Sequence, residues 1–135
     1  MDAIERGFRF AGAVIVASLA AGPITWFGAV LISLPSGRGT LSSEVLAFAL
    51  LTIPYGAIIA FLPNLVGTAI MTALGSWFPL ARSPLAWIGA GGLGGALFAI
   101  LNSGPTLTDG PFVAIMTLTG MACAAICRAF TRWPD

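Results

Sequence analysis

Three groups of residues in this chain have types and spacings that invite a chemical reading. The first is Gly89-Ala90-Gly91-Gly92-Leu93-Gly94, with the spacing G-x-G-x-x-G and with Asp109 following at the distance of a ribose-binding acid. In a dinucleotide fold such glycines let the backbone cradle a pyrophosphate, but only between a strand and the helix that it feeds. Here they lie inside an apolar run that starts at Ser83-Pro84, a helix N-cap followed by a proline at the first helical position. Nucleotide binding is therefore set aside, and no nucleic-acid partner is expected.

The second group is Met116, Gly120, Cys123 and Cys127, which share one face at helical spacing. Thioether and thiolate ligands suit Cu(I). Cys and Met are also ordinary apolar fillers, and two cysteines on adjacent turns of one helix are poorly placed for a disulfide. No metal site and no cofactor is expected. The third group is Asn64, Thr68, Thr72 and Ser76, again on one helical face, with Tyr55 nearby. It reads as a weakly polar seam against a neighbouring helix, each bond across it being worth roughly 0.6 kcal/mol. Alternatively it lines a polar cavity near Pro54 and Pro63, since broken membrane helices expose carbonyls that transporters use.

What is missing narrows the chemistry further. The chain has no His and no Lys, and no nucleophile sits at a readable spacing from a base. Catalytic residues are expected to be absent and the protein to be non-enzymatic. No Asp, Glu or Arg falls deep in an apolar stretch, which argues against an ion-coupled pump acting alone.

The elements that carry these residues follow from composition. Apolar residues make up 58% of the chain and charged residues 8%, too little charge for a water-soluble domain, where about 25% is usual. Four apolar stretches, near 10–34, 43–74, 84–101 and 111–130, are long enough to cross a bilayer. The first continues for about 25 residues, past the roughly 7–15 of a cleavable signal core, and reads as a retained span. The second holds no charge after Glu44 up to Phe78. A straight helix from Leu41 to Phe78 would reach ~57 Å against a slab of about 30 Å. It must bend at Pro54 or Pro63, tilt, or lay residues 64–78 along the interface. The expected fold is a single-domain, all-α integral membrane four-helix bundle over residues 1–135.

Charge orients it. Arg6, Arg9, Arg82, Arg128 and Arg132 fall on one side of the four stretches and only Arg38 on the other. Basic residues collect on cytoplasmic flanks, so both termini are expected inside, in a bacterial inner membrane. The same arginines are candidate contacts for anionic lipid headgroups. Gly91 and Gly95 form G-x-x-x-G, and Ala90/Gly94, Gly92/Ala96 and Gly95/Ala99 repeat the small-residue spacing. Such faces let helix backbones approach closely, within the chain or against another copy or subunit. The leading expectation is an accessory or assembly subunit packing against a larger membrane complex through Gly91, Gly92, Gly94, Gly95 and Ala99. The alternative is a small oligomeric channel or transporter using the Asn64–Ser76 seam.

Overall fold

The structure, a computed structural model, describes residues 3–33, 43–103 and 110–131. Thr40, Arg38, Asp109, Arg132 and the Pro35-Ser36-Gly37 cluster lie outside the described residues. Four helices make up the fold: α1 (Ala3–Ser33), α2 (Ser43–Trp77), α3 (Pro84–Asn102) and α4 (Gly110–Phe130). There is no strand among the described residues. Each helix contains a segment long and apolar enough to cross a membrane, at Arg9–Leu31, Ala49–Trp77, Pro84–Asn102 and Gly110–Phe130. The 64–77 segment continues α2, an unbroken helix that contains both Pro54 and Pro63 although each proline lacks the amide that would donate a helical hydrogen bond.

Local rules set the turn between α2 and α3. Phe78 is extended because a proline follows it, which ends α2 at Trp77. Pro79–Arg82 then makes one 3₁₀ turn, and Ser83 is again extended before Pro84. The Ser83 hydroxyl accepts from the Ala86 amide at 3.2 Å, satisfying one of the orphan donors at the start of α3. At the other end of α3, the Ser103 hydroxyl donates to the Ala99 carbonyl at 2.6 Å and the Asn102 amide to the Phe98 carbonyl at 2.8 Å.

This turn is held by long side chains. Arg82 Nε donates to the Gly75 carbonyl at 2.7 Å, and Arg128 Nε donates to the Arg82 carbonyl, also at 2.7 Å. Arg128 Nη1 reaches the Thr131 carbonyl at 3.0 Å, and the Trp87 indole donates to the Ala81 carbonyl at 2.9 Å. Guanidinium groups thus sit where α2 and α4 end, satisfying late carbonyls and complementing the negative helix termini.

The helices are antiparallel neighbours in the lateral order α3, α4, α1, α2. Cys127 Sγ lies 3.9 Å from the Ala13 carbonyl and Cys123 Sγ 3.4 Å from the Ala17 carbonyl, so α4 descends as α1 rises. The Ala3 end of α1, the Trp77 end of α2, the Pro84 end of α3 and the Phe130 end of α4 therefore share one end of the bundle. Arg9, Arg82 and Arg128 are at that end. The central core is Ala17, Ala21, Trp87, Cys123 and Cys127, with Ala60, Met71 and Ile126 packed around it.

Small residues decide how close the helices come. A Cβ added at Gly56 would sit 2.6 Å from Gly22 Cα, and one at Gly22 would sit 2.8 Å from Ile53 Cα. Hydrogen in place of a side chain is what lets α1 and α2 cross there. Between α3 and α4 the approach is closer still: Gly91 lies against the Gly120 carbonyl and Gly95 against the Met116 carbonyl. By contrast α2 and α3 scarcely touch beyond the turn that joins them.

Candidate functional site

Because the four helices form a row that does not close, a cleft opens between α2 and α3, with α1 and α4 as its floor. Its volume is about 730 Å³, inside the roughly 300–1,000 Å³ typical of ligand pockets. Leu51 to Met71 mark its extent on α2, Trp87 to Phe98 on α3, and Phe112 to Cys127 on α4. The lining is overwhelmingly apolar and carries no charged residue.

The cleft's polar groups are mostly satisfied from within. Asn64 Nδ2 donates to the Ser18 hydroxyl at 3.3 Å and also lies within hydrogen-bonding reach of the Cys123 thiol. Thr68 is 3% exposed and approaches the Cys127 thiol. The Thr25 and Thr119 hydroxyls share a bond of 3.2 Å. In a hydrocarbon medium an unpaired hydroxyl or amide has no water to turn to, so these bonds fasten α2 and α4 to α1. Outside the cleft lining, Thr72 Oγ1 is buried without a hydrogen-bond partner among the described residues.

The candidate polar seam is thus divided by the structure. Asn64, Thr68 and Thr72 turn inward, while Ser76 is exposed and donates to the Ala73 carbonyl of its own helix at 2.6 Å. Tyr55 stands at the cleft wall but is 65% exposed. The glycine-rich face of α3 is divided as well. Gly91, Gly92 and Gly95 meet α4 at Gly120, Met121 and Met116, and Ala99 is fully buried. Gly94 has nothing near the place of its missing side chain and opens into the cleft.

Both thiols are turned toward α1 carbonyls rather than toward one another's ligands, and among the described residues no cluster of three or more His, Cys, Asp or Glu could hold a metal ion. Of the arginines considered for headgroups, Arg82 and Arg128 are tied to the same turn, Arg9 lies near the same end, and Arg6 is in the first turns of α1.

Several residues that shape the site were not singled out by the sequence. Gly22 and Gly56 make the α1–α2 crossing, and Trp87, 1% exposed, fills the space between α3 and the other helices. Gly22-Pro23 and Pro54-Tyr55-Gly56 each put a glycine beside a helix-breaking proline, a visible signal once close approach is the question. Nothing comparable marks Ser18, Thr25 or Thr119, which acquire partners only across the bundle. No protein-family model, curated protein or solved structure matches the chain.

Proposed function

We propose that this small multi-pass membrane protein is a non-enzymatic accessory or assembly subunit of a larger complex in a bacterial inner membrane, with both termini on the cytoplasmic side. The observation that carries this reading is the isolation of α2. The longest helix of the fold is held chiefly by α1, at a crossing set by Gly22 and Gly56, with only slight contact to α3 and α4. Its outer face presents Leu50 and Ile58, 73% and 72% exposed, together with Leu62 and Ile70. Lipid tails are as apolar as leucine, so a partner helix binds such a face by packing rather than by hydrophobic exclusion. The glycine faces of α3 are mostly occupied by α4, which makes α2 the docking arm. Arg9, Arg82 and Arg128 anchor the same end of all four helices at the headgroups.

Purification from native membranes in a gentle detergent tests this. An accessory subunit co-elutes with foreign subunits at a fixed ratio, and Ile58→Trp or Leu62→Trp releases it while the protein stays folded. A homogeneous oligomer of this chain alone would sink the reading.

The second reading is a small oligomeric channel or transporter. The cleft favours it, since Asn64 and Thr68 of the polar seam are in its lining. Solute flux through liposomes containing the pure protein, altered by Thr68→Val and Thr72→Val, would establish this reading over the first.

A further inference from the structure

The turn that joins α2 to α3 is apolar where it faces outward. Trp77 is 82% exposed, Phe78 58%, Leu80 86% and Leu85 79%. From Trp77 to Leu85 the polar residues are Arg82 and Ser83, and both turn back on the chain. Arg82 Nε donates to the Gly75 carbonyl, and the Ser83 hydroxyl accepts from the Ala86 amide.

The backbone of the turn is satisfied without water as well. The Phe78 and Leu80 carbonyls accept from the Ala81 and Ser83 amides at 3.0 and 3.2 Å. Those of Ala81 and Arg82 accept from the Trp87 indole at 2.9 Å and the Arg128 guanidinium at 2.7 Å. Pro79 and Pro84 bring no amide that would need a partner. Two arginines and a tryptophan given over to main-chain carbonyls are superfluous where water is at hand. Irregular backbone at membrane depth requires them, because a carbonyl there has no other donor.

Helix length sets the height. α3 has 19 residues, about 28 Å at 1.5 Å per residue, which matches a hydrocarbon core of about 30 Å. Pro84 therefore stands at the edge of that core. Pro79–Arg82 is a single 3₁₀ turn of 4 residues, reaching ~8 Å at about 2 Å per residue. The interfacial layer on each side of the core is about 5–8 Å deep. Even upright the turn ends at the outer edge of that layer, and the chain must return to α2 at Trp77.

We infer that the α2–α3 turn is seated in the bilayer, with Trp77, Phe78 and Leu85 in the interfacial layer of the leaflet at the arginine-bearing end. Leu80, at the middle of the turn, lies outermost, among hydrated headgroups that aqueous reagents enter. The flanking segments Ala49–Trp77 and Pro84–Asn102 are both long and apolar enough to cross the membrane, so the lipid-facing surface runs on from one to the other across the turn. Indole rings favour this level, and guanidinium groups beside them suit anionic headgroups. The inference rests on the multi-pass membrane reading and is independent of the accessory role.

The test uses full-length protein in nanodiscs of phosphatidylcholine and phosphatidylglycerol. Trp77→Cys, Leu85→Cys and Leu93→Cys are each labelled with a nitroxide. Cys123 and Cys127 are buried, and wild type serves as the unlabelled control. Collisions are measured with oxygen, which concentrates in hydrocarbon, and with a water-soluble nickel chelate. Leu93, midway along α3 and 76% exposed, marks the lipid core. Labels on Trp77→Cys and Leu85→Cys are expected to give an oxygen-to-nickel ratio below that of Leu93→Cys and about threefold or more above that of free label in buffer. The ratio of free label at either position, with oxygen dominant on Leu93→Cys, would overturn the seating of the turn alone. Nickel dominant on Leu93→Cys too would overturn the membrane reading beneath it. Few collisions with either reagent at Trp77→Cys and Leu85→Cys would mean cover by a second copy, and would equally overturn the inference.

Discussion

Replacing Gly56 by Ala should loosen α2 from the rest of the protein. The new Cβ would lie 2.6 Å from Gly22 Cα and 3.0 Å from Gly22 N, against about 3.5–4.0 Å for an ordinary carbon contact. Both obstructing atoms belong to backbone, so no rotamer change relieves the clash. The two helices must part by about 1 Å, and a gap of that size forfeits a quarter to a half of each contact across the crossing. Overpacking of this kind costs about 1–3 kcal/mol, set against a gain of about 0.5–1 kcal/mol from removing a helical glycine. The net loss is up to ~2.5 kcal/mol, or about 1–3 kcal/mol relative to an alanine elsewhere that makes the same helical gain without a clash, and α2 has no other extended neighbour to take up the load. Gly94→Ala is the matched control: the same chemical change at a site with nothing within 4 Å, expected to be neutral or slightly stabilising. The chain carries its own reporters, because Cys123 and Cys127 are buried and react with a thiol-sensitive dye only on unfolding. Thermal unfolding followed by such a dye should separate the two variants by roughly 4 °C or more, taking about 4 °C per kcal/mol. Coincident transitions for Gly56→Ala and Gly94→Ala would refute the glycine-limited crossing of α1 and α2.

Trp87→Phe keeps most of the buried ring but removes the donor to the Ala81 carbonyl, and should lower stability by about 1–3 kcal/mol in the same dye assay. Arg128→Met removes two bonds, to the carbonyls of Arg82 and Thr131. It should cost about 1.5–3 kcal/mol and speed proteolysis at the turn between α2 and α3. Asn64→Ala should cost less than Gly56→Ala, on the order of 0.6 kcal/mol, since a polar bond in lipid is worth little beside lost packing. Leu80→Cys places an exposed thiol in the 3₁₀ turn. If the proposed orientation holds, with the arginine-bearing end in the cytoplasm, it stays unlabelled by an impermeant maleimide in intact cells and reacts once membranes are inverted; labelling in intact cells would refute that orientation.

The elements were legible because each is announced by local chemistry. Ser83-Pro84 marks the start of α3 as an N-cap and first-turn proline, and it does so in the structure. The arginine bias grouped Arg9, Arg82 and Arg128, and antiparallel packing brings them to one end. The fate of the 64–78 segment was open because Pro63 permits either a break or a continuation. α2 continues, as a helix that loses one rung at a proline keeps the others. The site was less legible. The small-residue spacings on α3 are degenerate: Gly91 and Gly95 face α4 while Gly94 faces the cleft, and nothing in the spacing separates them. Ser76 shared a helical face with Thr72 by arithmetic alone, yet it is exposed and its hydroxyl turns to its own backbone.

Composition and charge order by themselves determine four apolar helices and place Arg9, Arg82 and Arg128 at one common end of them, since both depend only on where apolar and charged residues fall along the chain. Tertiary structure decided that α2 and α3 stand apart and leave a cleft. Helix neighbours in a membrane are chosen by backbone approach and by a few polar bonds between residues distant in sequence. Gly22 meeting Gly56 and Gly91 meeting Gly120 are contacts that no local pattern encodes.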